Sequence, residues 1–551
     1  MSAVTGDAAT SVPPARQPPA AGAAPAATPS RLLTAACGLA DQIVACGMSS
    51  SGDAPPAFIR GLAAGSSTSR GGHRLDDLDQ DGQASDGQTN GGQSRVNWLG
   101  LQPVDGTPWM VLPMGAGLAD GYLGVALFLA QLARLSGVGR YAEVARRAAS
   151  SLPALLGALD ARPDLLATVG CGAAEGMAGI SYALARMSTL LDDRALGEWA
   201  DAAALLTTRL LATAPAGWPT VNRPGTARPA TGTPATGTPA TAGPASGEQA
   251  AGEQATSRPA SGEQAISRSA SGRQPAGYRT AGELVAPSGW LDGLAGCLAA
   301  MTAVHTEIGS AAAAAAAVAA ADQLAALVQR TGGRCAAALQ PVSPGFATGP
   351  AGVGWALARF GVTMDDPAYQ EAGRRAVWCA VDPVAGGGGD GSPGWCRGTV
   401  GLLVARSCLG DTELRREAQL LIQRPVLRDL SLCHGEAGIT EALTMLTGAA
   451  LTPGTTARTA LAPAGQSPTG QAGHGQAALP PPWRHRAGLM VSALGRHTRF
   501  CGTPGGVPTP GLLRGLAGVG YGLLRAGFTE RVPSVLFLEP TPAAGEGGRP
   551  G

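Results

Sequence analysis

From Trp98 onward, apolar residues recur at three- and four-residue spacing in runs such as VALFLAQLARLSG and ISYALARMSTLLDD. That is the period of a helix with one buried stripe. Each such run follows a G-x-x-G element, and a second helical run follows it, as in PAYQEAGRRAVWCAV. The element occurs seven times: Gly121–Gly124, Gly176–Gly179, Gly293–Gly296, Gly349–Gly352, Gly398–Gly401, Gly435–Gly438 and Gly515–Gly518. Small residues at the helix starts let two backbones approach closely. The pattern therefore predicts a repeat of turn, helix, second helix.

Spacing between first glycines is 55, 117, 56, 49, 37 and 80 residues. The two long gaps contain low-complexity tracts, at 214–281 (PATGTPATGTPATAGPAS, then SGEQA-like units) and at 451–481. Removing tracts of 68 and 31 residues leaves 49 in both cases. The tracts thus read as loop insertions, tolerated because closure entropy grows only with the logarithm of loop length. The expected organisation is an Ala/Pro-rich disordered lead over 1–31, then a short helical segment and Gly/Asp-rich linker over 32–97. The repeat array follows over 98–545. Paired-helix repeats build either an open solenoid or a closed ring, and a ring hides its ends without polar caps.

Composition narrows the class. Charged residues are 14 % and aromatics 4 % of the chain, so the core must be made of Ala, Leu, Val and glycine-mediated contacts. All 40 cationic residues are Arg. Lysine-dependent chemistry, including Schiff bases and P-loop phosphate binding, is excluded. A net charge of +1 gives no reason to expect nucleic acid or an anionic membrane as partner. The N-terminus lacks the basic-then-apolar order of a signal peptide, and the run Ala311–Ala320 is too short and weakly apolar to span a bilayer. The expectation is a cytoplasmic chain without membrane insertion, its ten Cys acting as buried thiols or ligands.

Metal-type residues accompany three units. The fifth reads Trp395-Cys396-Arg397-Gly398, the sixth Leu432-Cys433-His434-Gly435, and the last is approached through Phe500-Cys501-Gly502. If units stack side by side, equivalent positions become neighbours, and Cys396, Cys433 and His434 converge on one ion. Two thiolates and an imidazole suit zinc and leave a fourth position for substrate. Two separate structural cysteines are the alternative, since buried free Cys is common in apolar cores. Paired or clustered carboxylates of the kind that glycosidases or terpene-type cyclases need are not expected beside the glycine elements.

The motifs W-C-x-G-x-x-G at Trp395–Gly401 and L-C-H-G-x-x-G at Leu432–Gly438 resemble those of the lanthionine synthetase C-like cyclases. The segment from Cys501 to Pro540, ending ERVPSVLFLEP, is similar to the C-terminal cyclase half of class II lanthipeptide synthetases. The resemblance implies an all-α fold, an α/α toroid of seven inner and seven outer helices. It also implies zinc held by Cys396, Cys433 and His434, and a precursor peptide with dehydrated Ser and Thr as substrate. Cysteine thiols of that peptide would add to dehydroalanine or dehydrobutyrine, giving lanthionine or methyllanthionine rings.

Several positions depart from the family pattern. Thr348 stands where the family's fourth unit carries a proton-transfer histidine, and a threonine hydroxyl is a poor general acid. His485 and His497, upstream of unit seven, are the stand-ins to consider. Ser392 takes the place of an arginine in the nisin-type cyclases, Arg397 fills the adjacent variable position, and an acidic residue of the second unit has no clear match near Gly172–Glu175. Trp395, Arg397 and Cys501 are the other rim candidates. The expectation is that no kinase-like dehydratase set fits ahead of the array, so that either a separate dehydratase is a partner or the chain is a separated or decayed half of a larger enzyme. The alternative is a degenerate cyclase-like protein that binds peptide or a partner synthetase and keeps zinc structurally.

Overall fold

Behind each repeat's first glycine a helix begins at the very next residue. The computed structural model describes residues 27–50, 94–102, 109–212, 288–331, 345–381, 393–410, 414–450 and 482–542. In chain order the helices are α1 (Pro29–Ala45), α2 (Tyr122–Ser136), α3 (Gly139–Ala149), α4 (Leu152–Ala161), α5 (Pro163–Val169), α6 (Met177–Leu191) and α7 (Arg194–Ala212). They continue with α8 (Leu294–Ile308), α9 (Ala311–Arg330), α10 (Pro350–Thr363), α11 (Pro367–Val381), α12 (Thr399–Arg406) and α13 (Leu414–Gln423). The last are α14 (Glu436–Ala450), α15 (Pro482–Leu494) and α16 (Leu516–Gly527). Two 3-10 turns (Ser407–Leu409 and Pro504–Gly506) and two small antiparallel ladders complete the described elements: β1 (Met48–Ser50) pairs with β2 (Arg95–Asn97), and β3 (Leu99–Gln102) with β4 (Met110–Pro113).

The helices that follow the glycines pack as a closed series, α2 on α6, then α8, α10, α12, α14, α16 and back to α2. Each is buried nearly all round; α2, α6 and α16 expose almost nothing from their first turn onward. The outer layer is α3, α7, α9, α11, α13, α15 and α1. The fold is therefore an all-α, α/α toroid.

The ring's last outer position is filled by the first of the described helices. α1 lies against α16, burying Leu32, Ala36, Leu39, Ala40 and Ile43, and the buried Trp98 donates its Nε1–H to Ile43 O at 2.8 Å. Residues 32–45 and Trp98 thus pack onto the array, while 51–93, with most of the Gly/Asp-rich linker, lie outside the described residues. The amphipathic stripe of α1 needs a partner, and among the described residues no helix follows α16 to provide one. The Ala-rich α9 is the described helix long and apolar enough to cross a membrane. Here its Ala313, Ala316, Ala317, Ala320 and Leu324 form the buried stripe of an outer helix. Both low-complexity tracts, 214–281 and 451–481, lie outside the described residues, as do 1–26 of the lead.

The second glycine of each element has one physical cause. A Cβ on Gly401 would sit 2.1 Å from Trp395 O, and one on Gly438 2.1 Å from Leu432 O. The other five second glycines meet the carbonyl six residues back in the same way. The turn folds over the first helical turn so tightly that no side chain fits.

These turns are joined to one another by backbone hydrogen bonds. Ala119 N–H donates to Ala174 O, Ala174 to Leu291, Leu291 to Ala347 and Ala347 to Cys396; Cys396 donates to Cys433, Cys433 to Leu513 and Leu513 to Ala119, all at 2.7–3.3 Å. Seven units thus close a circle of hydrogen bonds at the rim where the inner helices start. At the centre of the ring lies the C-terminal segment, with Val532 and Val535–Leu538 buried.

Candidate metal centre

The rim circle assigns each unit an equivalent position. The residue before the first glycine is, in ring order, Asp120, Glu175, Asp292, Thr348, Arg397, His434 and Arg514. One residue earlier stand the hydrogen-bonded residues of the circle, which include Cys396 and Cys433. Because Cys396 N–H donates to Cys433 O at 3.3 Å, the two thiols come from adjoining turns. The ligand atoms of Cys396, Cys433 and His434 all lie within 4.8 Å of one another, and Cys433 Sγ is 3.7 Å from His434 Nε2. Cys396 and Cys433 are buried, and His434 is half-buried on the rim.

The electrostatics fit a ligand set. Hydrogen bonding from Cys433 pulls the Cys396 thiol down to about 5 against the opposing effect of burial, with His434 helping. The same shared proton, together with burial, holds Cys433 well above its usual value. His434 is raised by its hydrogen bond to Cys396. One thiolate is present at neutral pH and a second proton is there to be displaced, as thiolate ligation requires. Two sulfurs and an imidazole nitrogen within reach of one point, with one side open to the rim, fit a tetrahedral borderline-soft cation.

The turn of unit six that carries Cys433 and His434 is anchored by residues the sequence reading passed over. Glu436, the first residue of α14, is wholly buried and bonds Arg486 of α15 at 2.5 Å (Oε1 to Nε) and 2.9 Å (Oε2 to Nη2). Arg486 Nη1 also donates to the carbonyls of Leu421, Ile422 and Arg424, and Leu427 N–H donates to Glu436 Oε2. Asp429 accepts from Ser431 N–H, and its charge helps raise His434. The acid at the start of α14 was the available signal; its partner lies 50 residues away, beyond any local pattern.

Other predicted positions fall as follows. Thr348 occupies the rim position of unit four, its Oγ1 buried without a hydrogen-bond partner. Trp395 packs beneath the rim, 1 % exposed, its Nε1 likewise unpartnered. Arg397 stands on the rim beside Cys396. Cys501 is buried, pushed up to about 11 by burial, and is not in the three-residue cluster. His485 is on outer helix α15 and His497 just past it, so neither is in the rim circle. Ser392 lies outside the described residues.

Two expectations need correction. Glu175 does have a place: it stands in unit two where Thr348 stands in unit four. Carboxylates do gather beside the glycine elements, because Asp120, Glu175 and Asp292 are successive rim residues and repel one another. Sequence spacing hid this, since the second and third units are separated by the long insertion. The Glu175 carboxyl is reached by solvent yet ringed by protein atoms; that crowding, with the Asp120 and Asp292 charges, pushes it up to about 8. Its Oε1 accepts from Asp120 N–H at 3.1 Å. Arg514 forks onto Asp120, with Nε 2.8 Å from Oδ2, and stacks over Trp109 at 4.9 Å. The rim is therefore acidic over units one to three and basic over units five to seven.

Residues 280–460 match the family model described as lanthionine synthetase C-like protein. Among solved structures the chain is similar to a nisin cyclase at 13 % identity and a TM-score of 0.41, covering 75 % of this chain and 89 % of that one. That likeness is too distant to carry anything about chemistry. No curated protein matches significantly.

Proposed function

We propose, from the match of residues 280–460 to the lanthionine synthetase C-like family model and from the site geometry, that this protein is a zinc-dependent cyclase. It adds peptide cysteine thiols to dehydroalanine or dehydrobutyrine, forming lanthionine or methyllanthionine thioethers. The observation that carries the reading is the convergence of Cys396, Cys433 and His434 within 4.8 Å on an open rim. Zinc in this site would supply Lewis acidity that lowers the pKa of an incoming thiol.

The chain's own residues then have separable tasks. Cys396, Cys433 and His434 hold the ion. Arg397 and Arg514 place positive charge on the half of the rim where negative charge develops during addition. Arg514 is fixed for this by Asp120 and Trp109. Addition of sulfur to the β-carbon leaves an enolate that needs a proton at the α-carbon, and Thr348 cannot deliver one near neutral pH. Glu175 is the rim group suited to do so: its Oε1 accepts from Asp120 N–H, and its carboxyl is raised from its ordinary value toward neutral pH. In a circle of seven units, unit two lies opposite the boundary of units five and six, the units that carry Cys396, Cys433 and His434.

A second reading, a peptide- or partner-binding relative that keeps the metal for structure, is favoured by Thr348 alone. The test is elemental analysis of the purified chain, followed by incubation with a dehydrated, cysteine-containing peptide. Loss of free thiol at constant peptide mass is the expected result, faster in Thr348→His. A chain with one zinc, inactive in both forms on a leader-bearing peptide, supports the binding reading. Failure to hold zinc sinks both.

A further inference from the structure

The centre of the toroid is occupied by the chain's own C-terminal segment. Tyr182 OH donates to Glu539 O at 2.9 Å, and Glu539 meets Arg525 at 3.4 Å and Arg359 at 3.8 Å. Glu441 accepts from Leu536 N–H at 3.2 Å and from Ser534 Oγ–H. Glu307 accepts from Thr541 N–H at 2.7 Å. These partners belong to α6, α16, α10, α14 and α8, so five of the seven inner helices hold the segment. Three arginines (Arg186, Arg359, Arg525) and two glutamates (Glu307, Glu441) point into the axis from the inner helices, and Glu539 balances them. Arg186 and Glu307 pair with each other at 3.2 Å, whereas Arg359, Arg525 and Glu441 find partners in the segment.

Toward the rim the segment turns apolar. Val535, Leu536 and Leu538 face Ala119, Ala174 and Leu513 of the hydrogen-bonded circle across a cavity of about 20 Å³. That is room for one water. Phe537 enters an aromatic cluster, its centroid 5.4 Å from Phe346, 5.3 Å from Trp355 and 6.4 Å from Trp395. Trp395 precedes Cys396 in the same turn. With no hydrogen bond to its Nε1, the Trp395 ring is held by packing on Phe346, at 5.5 Å, and on Phe537.

We propose that residues 533–541 are the floor of the reaction chamber, and that Phe537 is a positioning residue for the metal ligand Cys396, acting through Trp395. The inference rests on the metal reading above. With the floor in place the toroid has one mouth. The peptide substrate enters and leaves as a loop over the metal rim and does not thread the ring. A ligand's affinity depends on the groups that fix its orientation, and their loss typically costs 10- to 100-fold. Here the fixing group is an aromatic wedge supplied from the far end of the chain.

The experiment uses the full-length chain, metal-free and then titrated with Co²⁺. Thiolate-to-cobalt charge-transfer absorption and visible d–d bands report ligand geometry. Native protein is expected to bind one Co²⁺ per chain; absence of that binding overturns the metal reading itself. Phe537→Leu, which keeps most of the volume, should weaken Co²⁺ binding about ten-fold and shift the d–d bands. Its helical circular dichroism should stay unchanged. In the metal-free protein, alkylation of Cys396 should become several-fold faster. Phe537→Ala should do the same more strongly; if it does not fold, Phe537→Leu decides. Trp378→Leu, exposed on α11, is the control and should change none of these. Native-like affinity, spectrum and Cys396 alkylation in Phe537→Leu, with native protein binding cobalt, overturn the positioning role and leave the metal reading standing.

Discussion

Leu513 N–H donates to Ala119 O at 2.8 Å, and this bond closes the circle of seven turns. It joins the last repeat to the first, and the neighbouring residues Arg514 and Asp120 reinforce it with a forked ion pair. Both side chains are mostly shielded, 15 % and 16 % exposed, so solvent screens the pair only in part. The latch is a tertiary contact between the ends of the array, and breaking it should loosen the ring at that seam.

Asp120→Asn and Arg514→Gln should each destabilise the protein by about 1.5–3 kcal/mol, the range for hydrogen bonds to charged groups. A double-mutant cycle by urea unfolding should give a coupling energy of the same order. Additive effects would mean that the two side chains do not support each other.

Cys396→Ala, Cys433→Ala and His434→Ala should each lose most of the bound zinc, because two remaining ligands make a poor site. Cys501→Ala should keep it, since that thiol is outside the cluster and held protonated by burial. Elemental analysis after gel filtration reads both outcomes. Full occupancy in either cysteine-ligand variant ends the assignment, and zinc loss in Cys501→Ala enlarges the ligand set.

The Glu175 carboxyl sits at about 8 against an ordinary 4.5. As a proton donor it works only while protonated, so cyclisation should decline as pH rises through about 8. Glu175→Gln should slow the reaction about 10²- to 10⁴-fold and abolish that decline. Linkage gives a second readout. A raised folded-state value means the unfolded state releases the proton first as pH rises. The stability contributed by this group is therefore complete below pH 4.5, and is lost between there and about 8. Thermal melts of Glu175→Gln should lack that part of the fall. A pH profile unaltered by the substitution places the donor elsewhere on the rim.

Arg486→Met removes the partner of a fully buried carboxylate. Leaving such a charge unpaired costs about 3–5 kcal/mol. The turn bearing Cys433 and His434 should lose its anchor as well, so zinc affinity should fall together with stability. Replacing both partners, Arg486→Met with Glu436→Leu, should restore much of the stability but not the affinity. Equal recovery of both would show that the pair serves only the core.

Much of this protein could be read along the chain. The G-x-x-G elements, the helix period and the 49-residue spacing are local, and they gave the repeat and its number of units. Both cysteine motifs sit one residue from where the turn geometry puts ligands, so equivalence of units was enough to bring Cys396 and Cys433 together. What the sequence left open were ring closure, the role of the first helix and the identity of the rim acids. Closure depends on α1 finding α16 and on Leu513 finding Ala119, contacts between opposite ends of the described chain. Glu175 was hidden because its pKa is set by Asp120, by Asp292 beyond an insertion, and by atoms crowding it in space. Arg486 and Phe537 reach the turns of Cys433 and Cys396, through Glu436 and Trp395, from 50 residues and more away. Backbone geometry and helix period are set by neighbours in sequence, and these the sequence determined. Burial and charge are set by neighbours in space, and those only the closed toroid decided.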